Sequence, residues 1–219
     1  MEGRELIVAR AARFFKDGDL VNLGIGMPTQ VANYLPEGVR IQLQSENGFI
    51  GIGPTPTTET WDHDVVNAGG QPASILPGGC VFDSCTSFGL IRGGHVDATV
   101  LGALEVDGEG SLANWIIPGK KVPGMGGGMD LVAGANMVIV TMEHCTKDGS
   151  SKILKKCSLP LTAAHEVDYI VTELCVLHYN GVGLVLEELA PGVTVKQVVA
   201  GTDAELIIPE QIGTMIQPH

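Results

Sequence analysis

Positive charge is scarce in this chain of 219 residues: 13 Lys and Arg stand against 25 Asp and Glu, a formal net charge of −12. A surface of that sign repels phosphate, so nucleic acid and anionic membranes, which need a basic footprint, are excluded as main partners. No apolar run approaches the roughly 18 residues a membrane span needs. The opening MEGRELIVARAARFF is charged throughout and has no apolar signal core. The five cysteines, Cys80, Cys85, Cys145, Cys157 and Cys175, are odd in number and scattered. No C-x-x-C occurs, which argues against a zinc knuckle, a redox pair or any other metal site. Reduced thiols and a cytoplasmic location are the plain expectation. A G-x-S-x-G elbow is missing too, which argues against that type of serine hydrolase.

Glycine and proline are plentiful, at 30 and 12, and imply several tight loops. Hydrophobic residues make up 44%, enough for a sizeable core. The segment up to Phe15 reads as a helix stopped by Gly18. Strands are expected at Leu20–Leu23, Arg40–Gln44, Asp97–Val106, Met137–Met142, Tyr169–Thr172 and Leu184–Glu187. Helices are expected from Pro28 to about Leu35, over Thr162–Val167 and over Thr194–Ala200. Residues 54–64 read as a polar loop, and the glycine-dense stretch from Gly89 to Gly128 as several irregular loops. Alternating strands and helices with short linkers predict an α/β fold, a mostly parallel sheet with helices on both faces. No linker divides the chain, so one domain over 1–219 is expected.

Glu46 stands out in Leu43-Gln44-Ser45-Glu46-Asn47-Gly48-Phe49-Ile50-Gly51. It falls at the expected carboxyl end of a strand, the edge where open α/β sheets bind ligands. Gly48 permits a sharp turn, and polar Ser45 and Asn47 flank the acid and can hold it by hydrogen bonds. No basic neighbour follows, which leaves the acid free to act as base or nucleophile. The bland alternative is a loop carboxylate that caps a turn. A second segment, Asn22-Leu23-Gly24-Ile25-Gly26-Met27-Pro28-Thr29, places two glycines between a strand and a helix start. It approaches a dinucleotide fingerprint, with Glu46 where a ribose-binding acid would stand, but Thr29 takes the third glycine position and Pro28 interrupts the motif. An NAD-type oxidoreductase therefore stays open, as does a ligand-binding module without catalysis. The run Gly124-Met125-Gly126-Gly127-Gly128 is either a nest of N–H donors for an oxyanion or a flexible loop.

Of the histidines, His63, His95, His144, His165, His178 and His219, no two have zinc-helix spacing. His95 reads as a turn residue, and the adjacent His144 and Cys145 as an improbable catalytic pair. Lys152, Lys155 and Lys156 would share a solvated face if their segment were helical.

Taken together, LQSENGFIG at 43–51, VNLGIGMPT at 21–29, VNAGG at 66–70, SFGLIRGGHVD at 87–97, LANWIIPGKKVPGMGGGMDLV at 112–132 and LPLTA at 159–163 resemble the beta (B) subunits of family I coenzyme A transferases. The resemblance runs from about residue 5 to about residue 200. It implies transfer of coenzyme A between short carboxylic acids, of the acetoacetate or 3-oxo acid, butyrate, succinate and acetate classes. Such reactions belong to short-chain fatty acid or ketone body metabolism. Glu46 would be the nucleophile of a ping-pong cycle through a glutamyl-CoA thioester. Asn22, Gly127 and Gly128 would serve the oxyanion, and Gly24 and Gly26 would line the substrate pocket. No permanently bound cofactor is implied; coenzyme A is substrate. The family's usual run reads GGA where this chain has Gly126-Gly127-Gly128, and Gly70 stands where some relatives carry a lysine. A polyanionic substrate and a chain poor in basic residues together imply a companion alpha (A) subunit, in an α2β2 heterotetramer.

Overall fold

The structure, a computed structural model, describes residues 3–120, 122 and 124–215. Lys121 and Pro123 of the glycine-rich run, and His219, lie outside the described residues. The first half of the chain forms α1 (Gly3–Ala11), β1 (Leu20–Leu23), β2 (Gln42–Ser45), β3 (Phe49–Ile52), β4 (Ile75–Val81), α2 (Ser84–Arg92), β5 (Ala98–Leu101), β6 (Glu105–Asp107) and β7 (Leu112–Ala113). Then follow α3 (Gly128–Gly134), β8 (Val138–Thr141), β9 (Ile153–Leu154), β10 (Tyr169–Val171), β11 (Cys175–Tyr179), β12 (Leu184–Leu189), α4 (Val195–Ala200), β13 (Leu206–Ile207) and β14 (Gly213–Thr214).

The main sheet runs β13-β12-β11-β10-β8-β5-β1-β2-β3-β4, with β14 also on β12. Its centre, β10-β8-β5-β1-β2, is wholly parallel. The flanks β2-β3-β4 and β10-β11-β12 turn antiparallel. A strand buried on both faces has no polar face to show, and the central strands are accordingly β-branched. Val21, Ala98, Val100, Ile139 and Val171 pack on one side with Ile7 and Val8 of α1. Val138, Val140 and Ile170 pack on the other, with Val132 of α3 and Val198 of α4. Each such Val or Ile side chain contributes about 1.5–3 kcal/mol by leaving water. This is the α/β architecture expected, with a mostly parallel sheet.

β1, β12 and α4 fall within two residues of expectation, and β2 starts two residues late. Four expectations need correction. The helix from Pro28 is a 3₁₀-helix, Met27–Tyr34. Pro28 and Val31 are buried and Tyr34 partly so, a spacing of three at which the side chains of a 3₁₀-helix align along one edge. Asp97–Val106 is two strands in different sheets. β5 lies between β1 and β8, whereas β6 joins β7 and β9 in a separate three-stranded sheet. Thr162–Val167 is not a helix. Its amides pair across the molecule, Thr162 and Ala163 with the Leu112 carbonyl and Glu166 and Val167 with that of Gly110, and His165 takes φ +62°. Lys152, Lys155 and Lys156 share no helix face, because β9 occupies that segment.

Candidate active site

Strand alternation decides what reaches the site. Leu20 of β1 packs with Ile91 of α2 and Leu131 of α3, so Asn22, two residues on, faces the same side. Ile41 and Leu43 pack toward α1, which turns Gln44 to the side opposite. Registered pairing sets Asn22 beside Gln44. The parallel strands of the centre all end at one edge, and Glu46 is the first residue past β2 there.

The turn Glu46-Asn47-Gly48 reverses the chain into β3, closed by the Gly48 amide on the Ser45 carbonyl at 3.0 Å. Gly48 has φ +129°, and a Cβ there would lie 2.2 Å from the Phe82 carbonyl oxygen. Only glycine fits this bend, and the bend sets Glu46 at the sheet edge, half-buried.

Four side chains form a line of hydrogen bonds toward the carboxylate. Asn22 Nδ2 donates to Glu46 Oε2 at 3.2 Å and to Gln44 Oε1 at 2.7 Å. Gln44 Nε2 reaches Ser87 Oγ of α2 at 2.9 Å. Gly127, which precedes α3, passes close against the other side of Glu46. A Cβ there would lie 3.1 Å from Glu46 Cγ and 3.3 Å from the Phe88 ring. The loop 66–70 is tied to the same turn. Ser45 Oγ accepts the Ala68 amide at 2.9 Å, and Asn47 Nδ2 donates to the Val66 carbonyl at 2.8 Å.

The structure thus brings Glu46, Asn22 and Gly127 together. Gly128 is adjacent, but its amide is engaged by the Met125 carbonyl at 3.1 Å, so it reaches an oxyanion only by giving up that bond. Gly24 lies at the end of β1, bonded through its amide to the Val100 carbonyl, and Gly26 heads the 3₁₀-helix. Gly69 sits against Ile25, which joins the VNAGG loop to the Gly24–Gly26 turn. Gly70 has open space around it. Two clefts of about 210 and 440 Å³ open along this edge, near Ile25, Gly102 and Thr141 and near Glu143 and Glu173, and Glu46 lines neither.

Ser45 and Asn47, expected to hold Glu46, bond the 66–70 loop instead, and Asn22 holds the carboxylate. Sequence reasoning gave no role to Gln44, Ser87 and Phe88. Gln44 carried a signal, a polar residue at an inward position of a strand, two before the acid. Ser87 carried none, because nothing local says which strand α2 covers. The remaining histidines and thiols lie outside this cluster. His144 is fully buried between Thr172 Oγ1 at 3.0 Å and Thr202 Oγ1 at 2.9 Å, and desolvation lowers its pKa to about 4. Burial first, and then Glu173 and Asp203, push the Cys145 thiol up, away from a reactive thiolate. His95 ends a turn, its amide on the Leu90 carbonyl. Among the described residues no group of three His, Cys, Asp or Glu is placed to hold a metal ion, and no helix is long and apolar enough to cross a membrane.

Comparison with known proteins places these features in context. The coenzyme A transferase family matches residues 4–201. The beta chain of the acetate CoA-transferase of Escherichia coli (strain K12) is 55% identical over 214 residues, covering 98% of each chain. Its counterpart in a probable succinyl-CoA:3-ketoacid coenzyme A transferase of Bacillus subtilis (strain 168) is 49% identical over 211 residues, covering 96% of this chain and 98% of its own. Among solved structures, the acyl-CoA transferase apoenzyme of Escherichia coli O157:H7 superposes with a TM-score of 0.77 at 22% identity. It covers 98% of this chain, which spans only 43% of that longer one.

Proposed function

The chain belongs to the coenzyme A transferase family, and from that premise we propose that it is the beta subunit of an enzyme that moves coenzyme A from an acyl-CoA to a short-chain carboxylic acid, with Glu46 as the covalent carrier. The 3-oxo acid, butyrate, succinate and acetate classes are the substrates in view. The names of its relatives, an acetate CoA-transferase and a probable succinyl-CoA:3-ketoacid transferase, support that range.

The observation that carries this reading is the placing of Glu46. Its carboxylate stands at the sheet edge with the Asn22 amide on Oε2 and the Gly127 backbone against its stem. The carboxylate attacks the thioester carbonyl. The new C–O bond forms as the C–S bond breaks, giving an acyl-glutamyl anhydride and the CoA thiolate. The thiolate attacks the glutamyl carbonyl, the donor acid leaves as its carboxylate, and a glutamyl-CoA thioester remains. The acceptor carboxylate repeats these steps in reverse order and restores Glu46. Each attack develops an oxyanion, for which Asn22 Nδ2 and the Gly127 amide are the donors at hand. Coenzyme A enters and leaves as substrate.

The thioester survives only if water is excluded. Glu46 lines neither cleft of the isolated chain, and Ile25, which lies against Gly69 of the 66–70 loop, is 78% exposed. Both support a companion alpha subunit that covers this edge. In this proposal residues 1–219 form one beta-subunit domain of an α2β2 heterotetramer in the cytoplasm. The dinucleotide reading has less support, because the glycine turn opens a 3₁₀-helix and Glu46 is held by Asn22.

The test is to incubate the assembled alpha–beta complex with acyl-CoA, trap with hydroxylamine or borohydride, and map the product by mass spectrometry. Modification at Glu46 is expected. Turnover without any modified Glu46 would sink the reading.

A further inference from the structure

Gln44 is an unusual residue to find inside a parallel sheet. It is 2% exposed, its neighbour Asn22 is also 2% exposed, and Ser87 is fully buried. A buried amide is costly unless its groups are paired. Here the pairing has a direction. A carboxylate only accepts hydrogen bonds, so Asn22 must turn its NH₂ toward Glu46. That NH₂ makes its shortest bond, 2.7 Å, to Gln44 Oε1. Gln44 must therefore turn its own NH₂ away, toward Ser87 Oγ at 2.9 Å. The orientations of both amides are assigned once Glu46 is ionised.

The count of protons at Asn22 sharpens the point. Its NH₂ has two hydrogens and three acceptors in reach: Gln44 Oε1 at 2.7 Å, Glu46 Oε2 at 3.2 Å and the Gln44 carbonyl at 3.3 Å. Gln44 Oε1 holds one hydrogen firmly. The other is divided between Glu46 and a backbone carbonyl at nearly equal distance. When Glu46 becomes an ester its charge is gone, and this second hydrogen is free to follow the oxyanion while the first keeps the amide from swinging.

We infer that Gln44 and Ser87 are positioning residues for the transfer reaction. They act through Asn22, fixing which way its amide points and so keeping one N–H available at the carboxyl carbon of Glu46. The inference rests on Glu46 being the covalent carrier. Without Gln44 Oε1, the Asn22 amide can rotate once Glu46 is esterified and uncharged, and its oxygen in place of its N–H would then face the ester carbonyl.

The experiment uses the assembled alpha–beta complex and the variants Gln44→Met, Gln44→Glu and Ser87→Ala, with rates normalised to folded complex. Gln44→Met keeps the volume and removes both polar groups. It is expected to lower kcat about 10²-fold, the scale of a misplaced group, with KM for acyl-CoA changed less than about threefold. Gln44→Glu still offers Asn22 an acceptor and can take the Ser87 hydroxyl as donor. It is expected to recover at least about tenfold over Gln44→Met. Ser87→Ala is expected to lower kcat by about 5–10-fold, a milder form of the same misplacement. Gln44→Met complex with wild-type kcat per folded site overturns the inference. So does a Gln44→Glu variant no faster than Gln44→Met, since packing alone would not distinguish them in that way. Trapping in the wild-type complex separates the two levels: absence of modified Glu46 there removes the carrier reading itself, whereas modified Glu46 with unchanged variants removes only the positioning role.

Discussion

At the scale of single residues, three glycine and acid positions carry most of the proposed chemistry. Replacement Glu46→Ala is expected to abolish transfer while stability stays within about 1 kcal/mol, because a half-buried acid with one 3.2 Å bond adds little to folding. Glu46→Asp withdraws the carboxylate by one methylene and is expected to be nearly as inactive; steady-state rates and urea midpoints for both variants check this. Gly127→Ala would set a methyl 3.1 Å from Glu46 Cγ and 3.3 Å from the Phe88 ring. The carboxylate must then move, and kcat is expected to fall about 10–10²-fold with binding largely kept. Gly48→Ala is a different case. At φ +129° and 2.2 Å from the Phe82 carbonyl, the added Cβ strikes backbone that has nowhere to go. A loss of about 2–4 kcal/mol in urea unfolding is expected, together with misplacement of Glu46. Glu46 and Gly48 were legible because a turn and its acid are neighbours in the chain. The contact between Gln44 and Ser87 was not, since their bond spans 43 positions.

At the scale of elements, the parallel centre was legible and its margins were not. A run such as Val138–Thr141 is buried along its whole length and announces a central strand by composition alone. The stretch 97–106 has the same apolar character, yet Gly102 breaks it and the chain changes sheets. Apolar content marks burial and does not name the partner strand. Helix α2, unassigned from sequence, is organised by Asp83, whose Oδ1 accepts the Thr86 amide at 2.9 Å. That bond, with the Thr86 hydroxyl, holds the Asp83 carboxyl below its ordinary range. Asp83→Ala is expected to lower the melting temperature by about 2–4 °C, while Asp83→Asn, which can still cap, leaves it nearly unchanged. Because α2 carries Ser87 and Phe88, the alanine variant should also lose some turnover; calorimetry and rate assays on the same samples show both.

At the scale of the whole molecule, stability should depend on pH through His144, which joins the end of β8 to Thr172 after β10 and Thr202 after α4. Desolvation lowers its folded pKa from 6.5 to about 4. Between those values the unfolded chain binds the proton and the folded chain does not, so stability is present above pH 6.5 and is lost as the pH falls toward 4. On the order of 3 kcal/mol is expected to disappear across that window. Urea midpoints measured at several pH values should fall in the native protein and fall less steeply in His144→Asn. Local chemistry alone determined the family likeness, the α/β class, the β-branched central strands and the acid before a glycine turn, for each is written in residues adjacent along the chain. Tertiary structure alone decided that residues 22, 44, 46, 87 and 127 meet. Their meeting depends on the order and register of parallel strands and on which helix covers them, and those are settled by long-range packing that no short window of sequence contains.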